Sequence, residues 1–187
     1  GSVPSQIFLL SPANCGGRRA AMVMSERATF ELAARLRMAD GAPLGDLFAF
    51  MSGLYFRGKL AYSRAFARPP DPASPISGAG AFVITPNAGL RSIDTPVTLA
   101  ALRNFAGVDI EAANPKYRRP LEVSARAIAE DIGPDCAVVL LGSIASPKYV
   151  DVLLGIFGER LLFPADFFGR GDTSRGAIHQ TLATTPG

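Results

Sequence analysis

The sequence predicts a three-layer α/β/α sandwich built around a mainly parallel sheet of about four strands. Short, largely apolar runs recur along the chain, as in Gln6-Ile7-Phe8-Leu9-Leu10 and Cys136-Ala137-Val138-Val139-Leu140-Leu141, and such runs suit strands buried on both faces. Segments with apolar residues at helical spacing separate them, and a right-handed crossover between parallel strands lays each such helix over the sheet. Each run also stops at Ser, Pro, Gly or Asn, residues that end strands and open loops.

In chain order, residues 6–10 form the first strand and end at Ser11-Pro12. Residues 25–38 place Phe30, Ala33, Ala34, Leu36 and Arg37 at helical spacing behind a Ser25 or Thr29 cap. Residues 44–66 carry a second helical period, and Gly53 and Gly58 predict breaks that divide it into two pieces. Four prolines within residues 68–75 exclude a helix there and predict an exposed loop. A strand over 81–85, a short helix over 98–105 and a longer helix over 115–132 follow, the last stopped by Gly133-Pro134. Residues 136–141 read as the central strand. A helix near 148–154 and a short strand over 160–163 complete the order. Ile7, Leu9, Val83, Val139 and Leu141 are the expected core of the sheet. Gly1-Ser2 reads as the remnant of a cleaved tag and residues 176–187 as a loosely ordered tail, which leaves one domain over 3–187.

Composition narrows the function classes. With 187 residues, 48% of them hydrophobic, the chain can bury a full core. No membrane-length apolar run and no basic, apolar leader is visible, so neither a membrane span nor a signal peptide is expected. Two cysteines and one histidine are too few for a disulfide framework or a four-ligand metal centre, so the reading is a cytoplasmic protein without a metal or other cofactor. The net charge of +3 comes mostly from arginine, which suits planar recognition of phosphate or carboxylate but also follows from a biased composition.

In a parallel sheet the ligand crevice lies beyond the carboxyl ends of the strands, and this rule selects four loops. The first, residues 11–19, combines Ser11, Asn14 and Arg18 with Gly16-Gly17, a composition for anion or sugar contact, or for a plain turn. It has neither the P-loop nor the dinucleotide spacing. Cys15, with no histidine suitably placed in sequence, reads as a packed or merely exposed thiol. The second loop, 85–91, offers Asn87 to a base or sugar edge, or to ordinary turn chemistry. In the third, Gly142 and Ser143 are candidates for ligand approach, and Ser146 for capping the next helix. The fourth, 163–176, holds Asp166 and Asp172 as base or charge stabiliser, with Arg170 and Arg175 as substrate contacts or as partners in a structural Asp-Arg network. Away from the loops, residues 53–64 interleave Tyr55, Phe56 and Tyr62 with Arg57, Lys59 and Arg64, a mixture that stacks bases and holds phosphates, although the aromatics also fit a core. His179 is the only histidine and carries no expected role.

The order of strand, Ser-Pro loop, helices, strand with Asn87, helix, strand ending Leu140-Leu141-Gly142-Ser143, helix and strand with Phe163-Pro164 resembles the uracil-DNA glycosylase-like superfamily over about residues 6–170. The resemblance implies a water-positioning polar residue after the first strand, matched loosely by Asn14, and a base-reading asparagine in a middle loop, matched loosely by Asn87. The final loop has no histidine and the first has no Gly-Gln/Glu-x-Pro motif, so this sequence departs from the superfamily at both places.

The expectation is a domain that processes a nucleotide, nucleoside or nucleic-acid base, with N-glycosidic bond hydrolysis as one candidate reaction. Arg18, Arg57, Lys59 and Arg170 would contact phosphate, and Asp166, Asp172 and Asn14 would serve catalysis. The alternatives are a noncatalytic nucleic-acid-binding module and a partner-binding subunit, the latter suggested by a mean hydropathy of +0.22.

Overall fold

The computed structural model describes residues 3–143 and 145–164. A five-stranded sheet in the order β4-β3-β1-β6-β7 forms its centre, so the strand over residues 6–10, not the one expected over 136–141, is the middle strand, because β6 has only the short β7 beyond it. The strands are β1 (Gln6–Leu10), β3 (Ala81–Ile84), β4 (Leu90–Ser92), β6 (Ala137–Leu141) and β7 (Leu161–Leu162). β1 pairs in parallel with β3 on one side and β6 on the other, and β7 extends β6 in parallel. β4 turns back antiparallel on β3. The expected strands at 81–85, 136–141 and 160–163 are therefore each present but shorter by one or two residues, and the antiparallel edge is an addition.

Apolar alternation in β1 explains the layers. Phe8 and Leu10 join one cluster with Ala81, Val83, Val139 and Leu141, while Ile7 and Leu9 join the opposite one with Phe82, Ile84, Val138 and Leu140. The first cluster is covered by α1 (Arg18–Met24), α2 (Glu31–Leu36), α3 (Leu44–Ser52), α4 (Leu54–Phe66) and α5 (Leu99–Ala106). The second is covered by α6 (Pro115–Ile132) and α7 (Val150–Phe157). Each buried face stabilises the sheet by removing apolar area from water, so the fully apolar strands are a requirement of the three-layer arrangement. A separate antiparallel pair, β2 (Ala42–Pro43) with β5 (Pro96–Val97), ties the start of α3 to the start of α5.

The helix expected over 25–38 is confined to α2, and a separate helix, α1, precedes it. Ser25 ends α1, its N–H donating to the Met22 carbonyl, and Phe30 rather than Thr29 stands before α2. Arg37 holds this corner together by donating to the carbonyls of Val23, Ser25 and Ala33. α1 itself begins at Arg18, inside what the sequence presents as a loop. Gly53, at φ +80°, does separate α3 from α4, but Gly58 makes no break and lies inside α4. A glycine in an exposed helix interior costs about 1 kcal/mol relative to alanine, and a methyl group at position 58 would meet nothing within 4 Å. Gly58→Ala is expected to raise the unfolding free energy by about 0.5–1 kcal/mol, read as a higher denaturant midpoint at unchanged slope.

The other helix ends follow their sequence signals. Thr98 caps α5 by accepting from the Ala101 N–H, and Asn114 caps α6 by accepting from Lys116, with Pro115 in the first turn where no amide is needed. The proline loop is pinned at Ser74 and Ser77, whose hydroxyls both donate to Asp131 on α6. These bonds hold the Asp131 carboxyl below its ordinary range. Among the described residues no helix is long and apolar enough to cross a membrane.

Candidate functional site

From β1 the chain passes to β3 on one side, and β6 lies on the other, so the carboxyl end of β1 is where the connections diverge and where a crevice is expected. A cavity of about 660 Å³ occupies that position. The loop after β1 supplies Ser11 to Gly16, the loop after β3 supplies Pro86, and the loop after β6 supplies Ser143, Ser146, Lys148 and Tyr149. α4 adds Lys59, and the segment leaving α5 adds Val108, Asp109, Ile110 and Glu111.

The floor is set by close packing of two strand ends. Ser11 donates its backbone N–H to the Leu141 carbonyl at 3.1 Å, which draws the β1 and β6 exits together. Gly142 then lies so near that a Cβ on it would stand 2.6 Å from the Ser11 Cβ, 3.0 Å from its Oγ and 2.9 Å from the Tyr149 hydroxyl. The half-buried Lys59 Nζ donates to Ser11 Oγ at 3.1 Å across 48 residues of sequence. Burial lowers the Lys59 ammonium from the ordinary lysine range. Tyr149 is buried, and its hydroxyl donates to the Ser143 carbonyl at 3.1 Å. At the mouth, Lys148 and Glu111 approach to 3.9 Å, an exposed pair of small energetic weight that nonetheless places opposite charges at the entrance.

The loops are held by their own side chains. The Asn14 carboxamide oxygen accepts the Gly16 N–H at 3.0 Å, so this part of Asn14 builds the turn, although the residue lines the cavity. Ser143 accepts from the Ala145 N–H and Ser146 from the Lys148 N–H. Ser146 does not cap the next helix, which starts only at Val150 after Tyr149. In the second loop Thr85 does the work expected of a turn residue. Its hydroxyl donates to the Gly89 carbonyl at 2.7 Å and accepts from Ala88 at 2.9 Å.

Of the residues expected from sequence, Ser11, Asn14, Lys59 and Ser143 line one cavity, and Gly142 packs beneath it. Arg18, Arg57 and Asn87 do not line it. Arg18 and Arg57 are exposed on α1 and α4, and Asn87 is half-buried beside the Thr85 turn. Asp166, Arg170, Asp172 and Arg175 lie outside the described residues, as does His179. Tyr55, Phe56 and Tyr62 divide. Phe56 is core, Tyr62 packs edge-on against Phe8 at 5.6 Å, and Tyr55 is 73% exposed. Asp109 and Glu111 went unnoticed in the sequence because they lie in a connection between helices, not at a strand end. No local pattern marks such a residue as facing a crevice.

Cys15 is buried, and burial pushes its thiol from an ordinary value near 9 up to about 12. It is therefore a neutral thiol at physiological pH, and only the thiolate is a competent nucleophile. Native protein at pH 8 is expected to resist iodoacetamide at Cys15, while denatured protein reacts there readily. Rapid native alkylation at that residue, by peptide mass spectrometry, would contradict the burial argument.

A second hollow, about 730 Å³, opens at the other end of the sheet between Pro4, Gly133, Cys136, Glu159 and Arg160. Its arginine is already committed, donating to the carbonyls of Ala129 and Gly133 at 2.9 and 2.7 Å at the end of α6. Among the described residues no group of His, Cys, Asp or Glu side chains is arranged to hold a metal ion.

Fold and site together define an α/β sandwich with a polar crevice at the carboxyl edge of a parallel sheet. Comparison with protein-family models, with curated proteins and with solved structures finds no match.

Proposed function

We propose that the chain takes a nucleoside, a nucleotide or a nucleic-acid base in the crevice at the carboxyl end of β1. The observation that supports this reading is the mixed lining of the cavity: Pro12, Pro86, Phe105, Val108 and Ile110 offer apolar surface for a ring, while Lys59, Ser11, Asp109 and Glu111 offer donors and acceptors. A planar heterocycle with a hydroxylated sugar needs both kinds of surface, and ligand sites are generally apolar walls with a few convergent polar groups. Asp109 and Glu111 would accept from sugar hydroxyls or base N–H groups, and Lys59 would donate to a phosphate or a base carbonyl.

The test is a thermal-shift screen with free bases, nucleosides, mononucleotides and short single-stranded oligonucleotides. The expected result is a rise in melting temperature for one class that Asp109→Asn or Lys59→Met removes, since a ligand that binds only the native state stabilises it by mass action. No shift from any of these compounds at millimolar concentration would overturn the reading. Chromatographic release of free base from a binding compound would extend it to N-glycosidic hydrolysis, the reaction the glycosylase resemblance implies.

A second reading, noncatalytic binding of single-stranded nucleic acid, is favoured by Tyr55, which lies one helical turn before Lys59 with its ring largely in solvent, on a helix that also exposes Arg57. Stacking on such a ring is tolerant of sequence. Oligonucleotide binding that weakens steeply with salt and is lost in Tyr55→Ala, without product formation, distinguishes this reading.

A further inference from the structure

We propose that Ser11 is a nucleophile and Lys59 its general base, so that the crevice supports acyl transfer from a carboxylic ester. The inference does not rest on the nucleoside reading. It rests on geometry: the Ser11 hydroxyl stands at the carboxyl end of the central strand, lines the cavity and lies 3.1 Å from the Lys59 Nζ. Nucleophile and base within hydrogen-bond reach is the arrangement that activates a serine, and a serine–lysine pair does so without histidine.

Two features separate this pair from a surface contact. Lys59 is half-buried and has no carboxylate within ion-pair distance among the described residues. Its burial favours the neutral amine that a base must be. Arg57 on α4 is exposed, and Asp109 faces the same cavity without an ion pair among the described residues. Asp109, Glu111 and Lys148 share the cavity, the last two paired with each other. On α3, which packs against α4, Asp46 is engaged by Arg35, and on α4 itself Arg64 is engaged by Asp94. The second feature is Gly142. A Cβ there would stand 3.0 Å from the Ser11 hydroxyl and 2.9 Å from the Tyr149 hydroxyl, so only glycine lets these two hydroxyls approach the same strand end.

With Lys59 as the amine, the Ser11 hydroxyl gives its proton to Nζ while Oγ forms a bond to the ester carbonyl carbon. The tetrahedral intermediate collapses with cleavage of the carbon–oxygen ester bond, and the Lys59 ammonium returns the proton to the departing alcohol. Water then attacks the acyl-serine, Lys59 again taking the proton, and returns it to Ser11 Oγ as the carboxylic acid leaves.

The full chain is treated with a fluorophosphonate, which phosphonylates activated serines, and labelling is followed by intact mass and peptide mapping. The expected result is one adduct on Ser11, formed faster as pH rises through the lowered Lys59 ionisation, and absent from Ser11→Ala. Lys59→Met and Lys59→Arg are each expected to slow labelling by about 100-fold or more, the scale of general-base catalysis. Arginine keeps the charge and the hydrogen bond but cannot act as a base, so retained labelling in Lys59→Arg would overturn the proposed role, as would the absence of any adduct on Ser11 in the wild type. Circular dichroism and melting of each variant confirm that the comparison is made on folded protein. A nucleoside shift without serine labelling defeats this inference and leaves the binding reading standing; labelling without any nucleoside shift does the reverse.

Discussion

Gly142→Ala is expected to abolish the response of the crevice to its ligand, with a loss of about 100-fold or more in affinity or turnover, the scale on which an ångström of misplacement acts. The backbone at this position does not itself forbid a side chain, since Gly142 is not among the glycines at positive φ. The obstacle is space. A methyl group would sit 2.6 Å from the Ser11 Cβ and 2.9 Å from the Tyr149 hydroxyl, far inside van der Waals contact, so the two strand exits must part. Overpacking of this kind typically costs 1–3 kcal/mol of stability, which a domain of ordinary stability survives. The variant should therefore fold and fail. Isothermal titration or ester turnover, set beside a melting curve, tests this: an alanine variant that works as well as the wild type would show that the crevice is not closed at its floor by these three residues.

A large loss of stability from a single methyl group is expected at Gly89. Its φ is +68°, a conformation that costs an L-residue about 1–2 kcal/mol. An added Cβ would also lie 2.3 Å from the Pro120 carbonyl oxygen and 2.5 Å from Ser124 Oγ on α6. Ser124 accepts the Leu90 N–H at 2.9 Å, so pushing the turn away from α6 breaks the bond that joins the antiparallel edge to the helical layer. Together these terms predict a loss of about 3 kcal/mol for Gly89→Ala, or roughly 6–12 °C in melting temperature for a chain of this size. Gly133→Ala is the control. It has φ +74° with nothing within 4 Å of the new methyl, so it should lose only the backbone part, about 1–2 kcal/mol. Equal losses at the two positions would show that the contact with α6 contributes nothing.

What the sequence determined by itself is the central scaffold. β1, β3 and β6 were legible because burial on both faces demands apolar runs, and α6 because Leu121, Ala125 and Ile128 recur on one face before the Gly133-Pro134 stop. The location of the crevice followed from the parallel order of those strands. That rule also brought Ser11, Ser143 and Gly142 into view. Tertiary structure alone decided what depends on contact between distant segments. β2, β4 and β5 are two or three residues long, and they exist through non-local pairing that carries no periodic trace. The break between α1 and α2 is held by the Arg37 guanidinium, a single side chain whose reach no helical period reveals. Lys59 reads in sequence as one basic residue among several on a helix, alongside Arg57. Only the packing of α4 across the end of β1 turns it inward to Ser11 while leaving Arg57 in solvent, and the connection after α5 brings Asp109 and Glu111 to the same cavity. A strand declares itself through the local solvation of its own residues, whereas a site is a coincidence in space of residues far apart in the chain, and that coincidence is set by how the layers pack.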